Sequence, residues 1–245
     1  AEHVIMNAEF THNIGKLVPN AEQVLNKWKP STLEKKKYSS STFMMYLSLD
    51  KLYDQIPHHN IVFADDYMHN LKLVDSGTVP TEPSIYVRNA SITDPTLSPE
   101  GKSGIYVLAP VPNLKNQPMA EARKFWGNQE NVANYRSTVL KILERKLGAK
   151  NIAQHIEAER IITPVQWNDD GIFKGAVFSL AHNIMQMLAF RPRNKFEDLE
   201  NLYLVGAGTH PGSGLPTIYE SARISSDLIC QELGVKYQRT PYVLP

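Results

Sequence analysis

The sequence predicts a mixed α/β fold, in which a mostly antiparallel sheet with helices accompanies a separate strand–turn–helix unit. Three observations predict it. Segments 39–49, 61–64, 84–88 and 104–109 are rich in β-formers and are separated by Pro80, Pro83, Pro95, Pro99 and Gly101, the punctuation of antiparallel strands. Glu121 to Gly148 carries Val132, Tyr135, Val139, Ile142, Leu143 and Leu147 at helical spacing. Near the C-terminus, the apolar run Leu202-Tyr203-Leu204-Val205 leads into Gly206, Gly208, Gly212 and Gly214, and a helical pattern follows from Pro216.

Each element can be justified in order. Ala1 to Phe10 reads as a strand alternating through Val4 and Met6 and ending at Asn7-Ala8. Glu22 to Trp28 is a short helical pattern stopped by Pro30. In 39–49, Phe43, Met45, Leu47 and Leu49 share one face, with Ser48 and Asp50 on the other, as in a half-buried strand. Its expected partner is Ile61 to Ala64. Segments 84–88 and 104–109 add a third and a fourth strand. The long helix of 121–148 ends at Gly148, with Glu144 and Lys146 on its solvated side. Ile152 to Ile162 runs through charged residues into a strand, Glu159 to Ile162, closed by Thr163-Pro164. Residues 237–245 form an extended, Pro-bounded tail. The expected division is a lobe of residues 11–160, with 1–10 and 161–236 meeting as parts of one further domain.

Composition narrows the function. Of 245 residues, 42% are hydrophobic, enough to bury a core. A net charge of +1 excludes a dominant nucleic-acid role, which needs a concentrated basic surface. The one dense basic run, Lys35-Lys36-Lys37, reads as a solvated face, with contact to anionic lipid as the alternative. The single cysteine, Cys230, excludes an intrachain disulfide and falls in the apolar pattern of the last helix. No metal is expected, because His58-His59 and Asp65-Asp66, read as strand neighbours, would point to opposite faces. The most apolar stretch, Gly175 to Phe190, is interrupted by His182, Asn183 and Gln186, so no membrane span is expected.

Segment 201–227 holds the chemistry. Glycines let backbone approach a ligand closely, and a helix start offers unpaired N–H groups and the positive end of the helix dipole. Pro216 suits the first turn, where a missing N–H costs nothing. The spacing matches neither GxGxxG nor the phosphate loop GxxxxGK[ST]. By spacing alone, a glycine-rich connection in an ordinary α/β domain fits equally well.

As a string, NLYLVGAGTHPGSGLP from Asn201 to Pro216 resembles the C-terminal flavin-binding signature of the bacterial and fungal type of phytoene desaturase, within the larger group of FAD-dependent amine-oxidase-like enzymes. His182 to Gln186, Phe190 to Asn194, Asn7 to Phe10 (with Glu9 where that family usually has Asp), Ser41-Thr42-Phe43, His59 to Tyr67 and Pro99 to Lys102 extend the resemblance over nearly the whole chain. The resemblance implies the C-terminal part of an FAD-binding Rossmann-like domain plus a sheet-and-helix substrate lobe. The N-terminal GxGxxG of that family is not in this sequence, so the chain is expected to be the C-terminal half of such a protein, weak in binding FAD alone.

The expected cofactor contacts are Gly206, Ala207 and Gly208 at the pyrophosphate or ribityl chain, with Thr209 beside them. Gly214, Leu215, Pro216 and Thr217 are expected at the flavin ring, where Leu215 and Thr217 supply N–H groups to the charge near N1. His182 and His210 are the candidate catalytic residues. For His210 a positioning role is the simpler reading, since an unactivated hydrocarbon gives a base little to act on. Arg191 and Arg193 either hold the loop, touch an anion or lie on the surface. The implied reaction is hydride transfer to flavin from phytoene or a related hydrophobic polyene drawn from the membrane, with a cytoplasmic protein lying peripherally on it. A carotenoid oxidase or isomerase of the same group, and a non-catalytic lipid-binding half-domain, remain the alternatives.

Overall fold

A computed structural model describes residues 1–115 and 118–238. In chain order the elements are β1 (Val4–Met6), α1 (Phe10–Leu17), α2 (Ala21–Val24), α3 (Pro30–Leu33), β2 (Ser41–Leu49), β3 (His59–Val62), α4 (Tyr67–Ser76), β4 (Ile85–Asn89), β5 (Ser103–Val111), α5 (Met119–Trp126), α6 (Gln129–Leu147), β6 (Ile156–Ile162), α7 (Pro164–Asp169), β7 (Leu202–Leu204) and α8 (Leu215–Glu232). They divide into two compact units, Ala1–Ser39 with the residues from Phe178 onward, and Ser40–Val177.

The second unit is a five-stranded sheet in the order β3-β4-β5-β2-β6, antiparallel throughout. Strand alternation sends Phe43, Met45, Leu47 and Leu49 to the same face as Ile85, Val87, Ile105, Val107 and Ala109, and all are buried. Trp126 of α5 and Tyr135, Val139, Ile142 and Leu143 of α6 cover that face. Burying each large apolar side chain contributes about 1.5–3 kcal/mol, so this layer dominates the unit's stability. The ring of Phe43 stacks on Trp126 at 5.8 Å and meets Tyr135 edge-on at 4.9 Å.

Several expectations are corrected here. The neighbours of β2 are β5 and β6; Ile61 and Val62 pair instead with Tyr86 and Ile85. Alternation fixes which face a residue takes, not which strand lies beside it, and both edges of β2 are already taken. The helix expected over 121–148 is two helices. At Gly127 a Cβ would lie 2.5 Å from the Arg123 carbonyl oxygen, and the Asn128 side chain accepts the Glu130 N–H to start α6. Gly148 does close α6, in the left-handed region at φ 66°. Pro30 opens α3 rather than only ending what precedes it. His58 precedes β3, so strand alternation does not apply to it, and its ring stacks on His59 at 4.1 Å. Asp65 and Asp66 also lie outside a strand. Asp65 pairs with Lys146, and Asp66 caps α4 through the His69 N–H.

In the first unit β1 and β7 are parallel neighbours, with Val4 opposite Leu202 and Met6 opposite Leu204. The strand at the start of the chain and the strand feeding the glycine loop therefore share one sheet. Phe10 of α1 packs edge-on against Trp28 at 5.7 Å and near Phe196 at 5.8 Å, and Ile14 is fully buried. The unit boundaries fall at 39/40 and 177/178, not at 10/11 and 160/161. The α1–α3 segment belongs with the first unit, and a cut after 160 would divide β6. Of the expected tail, 239–245 lie outside the described residues. Among the described residues no helix is long and apolar enough to cross a membrane.

Candidate functional site

The site is built where β7 runs out. Leu202, Tyr203 and Leu204 are buried, and Gly206 then turns at φ 121°, a conformation other residues rarely adopt. A Cβ on Gly206 would lie 3.6 Å from Asn7 Oδ1, so the end of β1 meets this turn. The Gly206 N–H donates to the Ser221 hydroxyl at 3.3 Å, tying the turn to α8. Of the loop's glycines Gly208 makes the tightest approach, because a Cβ there would lie 2.6 Å from Phe10 Cβ. The expected contacts are therefore unlike one another. Gly208 and Thr209 are buried in the unit's own packing, whereas Gly214, Leu215 and Pro216 are exposed.

The second half of the loop leads to the start of α8. Gly214 is the N-cap residue at φ 103°. Among the described residues no side chain caps the helix, and its first turn holds no acidic residue. The Ile218 N–H reaches Gly214 O at 2.9 Å, so the amides of Gly214, Leu215 and Thr217 stand ahead of the first intrahelical bond. The Thr217 hydroxyl bonds the carbonyls of Ser213 and Gly214 at 2.5 and 2.8 Å and leaves those amides open. An eighteen-residue helix with an uncapped, glycine-led N-terminus is a seat for negative charge.

His182 and His210 play different structural parts. His182 Nε2 takes the Ser213 N–H at 3.2 Å and lies 3.1 Å from the Ser213 hydroxyl. Accepting a backbone N–H requires that nitrogen to be unprotonated, which puts the ring proton on Nδ1. Burial first, and the Arg191 charge second, hold the His182 pKa below its ordinary value, in keeping with a neutral ring. The His210 N–H donates to Pro192 O at 2.9 Å, and the residue lines a cleft of about 640 Å³ with Leu188, Phe196 and Leu228. No hydrogen bond joins the two histidines among the described residues.

Arg191 and Arg193 separate sharply. Arg193 is exposed, whereas Arg191 is 0% exposed. The Arg191 guanidinium donates to the carbonyls of Thr209 at 3.0 Å, Leu180 at 3.3 Å, Gln186 at 3.4 Å and Ala207 at 2.6 Å. The sequence leaves its role open and does not single out four residues that support the loop. Asn194 sits buried between β7 and α8, Ser221 and Ser225 face it from α8, and Glu9 caps α1 while accepting the Ser179 hydroxyl. The only signal for the serines is their spacing, four apart on one face of α8.

No family model matches the chain. Among curated proteins, a 4,4'-diapophytoene desaturase (4,4'-diapolycopene-forming) of Methylomonas sp is 50% identical over 97% of this chain and 45% of its own length. An all-trans-zeta-carotene desaturase of Myxococcus xanthus is 39% identical over 100% of this chain and 45% of its own. A phytoene desaturase of Phycomyces blakesleeanus is 32% identical over 96% of this chain and 40% of its own. The chain thus spans less than half the length of the curated relatives it matches. Among solved structures, an oxidoreductase from Methanosarcina mazei aligns over 95% of this chain and 43% of its own, at 15% identity and a TM-score of 0.49. Over the span it covers, and on the strength of these desaturase matches from end to end, this chain belongs to the carotenoid desaturase family.

Proposed function

We propose that this chain forms part of an FAD-dependent carotenoid desaturase that dehydrogenates an acyclic polyene precursor. The observation that carries the reading is the uncapped N-terminus of α8 at Gly214–Thr217, approached by a loop whose glycines remove intervening side chains. These residues fit a flavin: open amides and a helix dipole suit a ring that gains negative charge near N1 when reduced. FAD, when bound, supplies the hydride acceptor. Gly214, Leu215 and Thr217 would hold its charged edge through their N–H groups, and Gly206 and Ala207 would serve the rest of the cofactor. His182 keeps the Ser213–Gly214 backbone in place, its Nε2 lone pair already engaged, so it takes no substrate proton. His210 is a positioning residue for the same loop.

Two features support an apolar substrate. Ile184, Met185 and Leu188 stand exposed in the segment preceding the loop, and Leu215 and Tyr219 are exposed at the start of α8. A polyene without polar groups is recognised by burial against such side chains and is drawn from lipid, so contact with a membrane surface belongs to the proposal. The name of the 50% identical relative favours a 4,4'-diapophytoene-like precursor. Sequence outside these 245 residues supplies the rest of the FAD surface.

Expression of the full reading frame in cells that accumulate 4,4'-diapophytoene or phytoene tests the reading. Coloured polyenes and a flavin-loaded protein are expected. Unchanged precursor together with a flavin-free protein would overturn it.

A further inference from the structure

Arg191 carries its charge where nothing neutralises it. The side chain is 0% exposed, and every acceptor it reaches is uncharged: four backbone carbonyls and, at 3.7 Å, the Met187 sulfur. Among the described residues no carboxylate lies within ion-pair distance of it. A buried guanidinium without an anion is costly, and five donors shared among carbonyl dipoles offset only part of that cost. Burial draws its pKa down to about 10, which leaves it charged at neutral pH.

Its placement matters more than its cost. The fork gathers two stretches of backbone, at 180–186 and 207–209, and so fixes the first half of the glycine loop. In a trans peptide the C=O and the following N–H point in opposite directions. Pinning Ala207 O on the guanidinium therefore turns the Gly208 N–H away from it. The positive charge stands directly behind the turn, in a medium that screens it less than water would. His182, which holds Ser213 in the second half of the loop, feels the same charge.

We propose that Arg191 is a positioning residue whose unpaired charge makes the 206–217 loop prefer its flavin in the reduced, anionic form. This rests on the FAD reading above. Two substitutions separate charge from scaffolding: R191K keeps the charge and loses the fork, and R191Q keeps two N–H donors and loses the charge.

The experiment uses the flavin-loaded protein from the full reading frame. The flavin midpoint potential is measured for wild type, R191K and R191Q, and the pH dependence of His182 modification by diethylpyrocarbonate is followed by mass spectrometry. R191Q is expected to lower the preference for reduced over oxidised flavin about tenfold, a shift of about 30 mV to more negative potential for a two-electron couple. It should also move the His182 titration upward. R191K should stay within about threefold of wild type and leave His182 where it was. Equal shifts in both variants, or none in R191Q, would overturn the proposal. If R191Q does not fold, the potential of R191K decides: a value near wild type supports the charge, and a drop of about 30 mV refutes it. A wild-type protein that binds no flavin defeats the FAD reading itself, while the His182 titration still reports on the Arg191 charge.

Discussion

The side-chain nitrogen of Asn194 lies 3.1 Å from the hydroxyl of Ser221, and this buried pair holds β7 to α8. The same nitrogen is 3.1 Å from Ser221 O and 3.3 Å from the Ser225 hydroxyl, which in turn donates to Leu204 O at 2.6 Å. Small serines let the helix approach the strand, and the amide satisfies the polar atoms they bury. Asn194→Ala leaves several of these atoms unsatisfied. It should cost about 1–3 kcal/mol, read as a lower urea midpoint at unchanged slope. Flavin retention should fall with it, because Ser221 also holds the Gly206 N–H.

Gly208→Ala tests the close approach of the loop to α1. The added methyl would meet Phe10 Cβ at 2.6 Å, a backbone-adjacent atom that cannot swing aside. Overpacking of this kind costs about 1–3 kcal/mol. Calorimetry should show a lower Tm for Gly208→Ala. Gly148→Ala is a useful contrast, since a Cβ there meets nothing and the penalty comes only from φ 66°.

The fold was legible where one residue's chemistry decides the outcome. The alternation of Phe43, Met45, Leu47 and Leu49 marks a strand face whatever lies beside it, and Gly148 can close a helix in a conformation others avoid. Strand order was not legible, since β2 offers the same apolar face to any neighbour. The short helices α1, α4 and α7 escaped because their starts depend on Glu9, Asp66 and Thr163 as caps, and six to ten residues carry too little periodic pattern to register. At the site, glycines and Pro216 announced a loop and a helix start. Arg191 is not singled out by its sequence: between Phe190 and Pro192, with Arg193 beyond, holding the loop, touching an anion and lying on the surface fit equally. Its burial depends on carbonyls up to eighteen residues away, which only folding assembles.

His182 gives a pH dependence of definite sign. Its pKa in the folded protein is below the ordinary 6.5, so the unfolded chain binds the proton more readily. Stability from this residue is fully present above pH 6.5 and is lost as pH falls below it, as protonation of Nε2 breaks the bond from the Ser213 N–H. His12 and His58 are shifted the same way, so the comparison must be with His182→Gln. Denaturation midpoints of the wild type should fall more steeply between pH 7 and 5 than those of the variant. Parallel curves would show that Ser213 does not depend on the neutral ring.

Tyr135 supplies the clearest test of the sheet unit, because its two ends work against each other. Its ring is edge-on to Phe43 at 4.9 Å and to Trp126 at 5.8 Å, so it closes the aromatic cluster between β2, α5 and α6. Its hydroxyl is buried with no hydrogen-bond partner among the described residues, and burial drives its pKa well above the ordinary tyrosine value. A buried hydroxyl left unpaired costs about 1–3 kcal/mol, whereas the ring packing survives a change to phenylalanine intact. Tyr135→Phe should therefore be neutral or stabilising, by up to about that amount. Tyr135→Ala, which removes the ring as well, should cost about 3–5 kcal/mol, as large-to-small substitutions in aromatic cores do. Guanidinium titrations of both variants check the pair. A Phe variant much weaker than wild type would mean that the hydroxyl has found a partner in solution, and that this position serves more than packing.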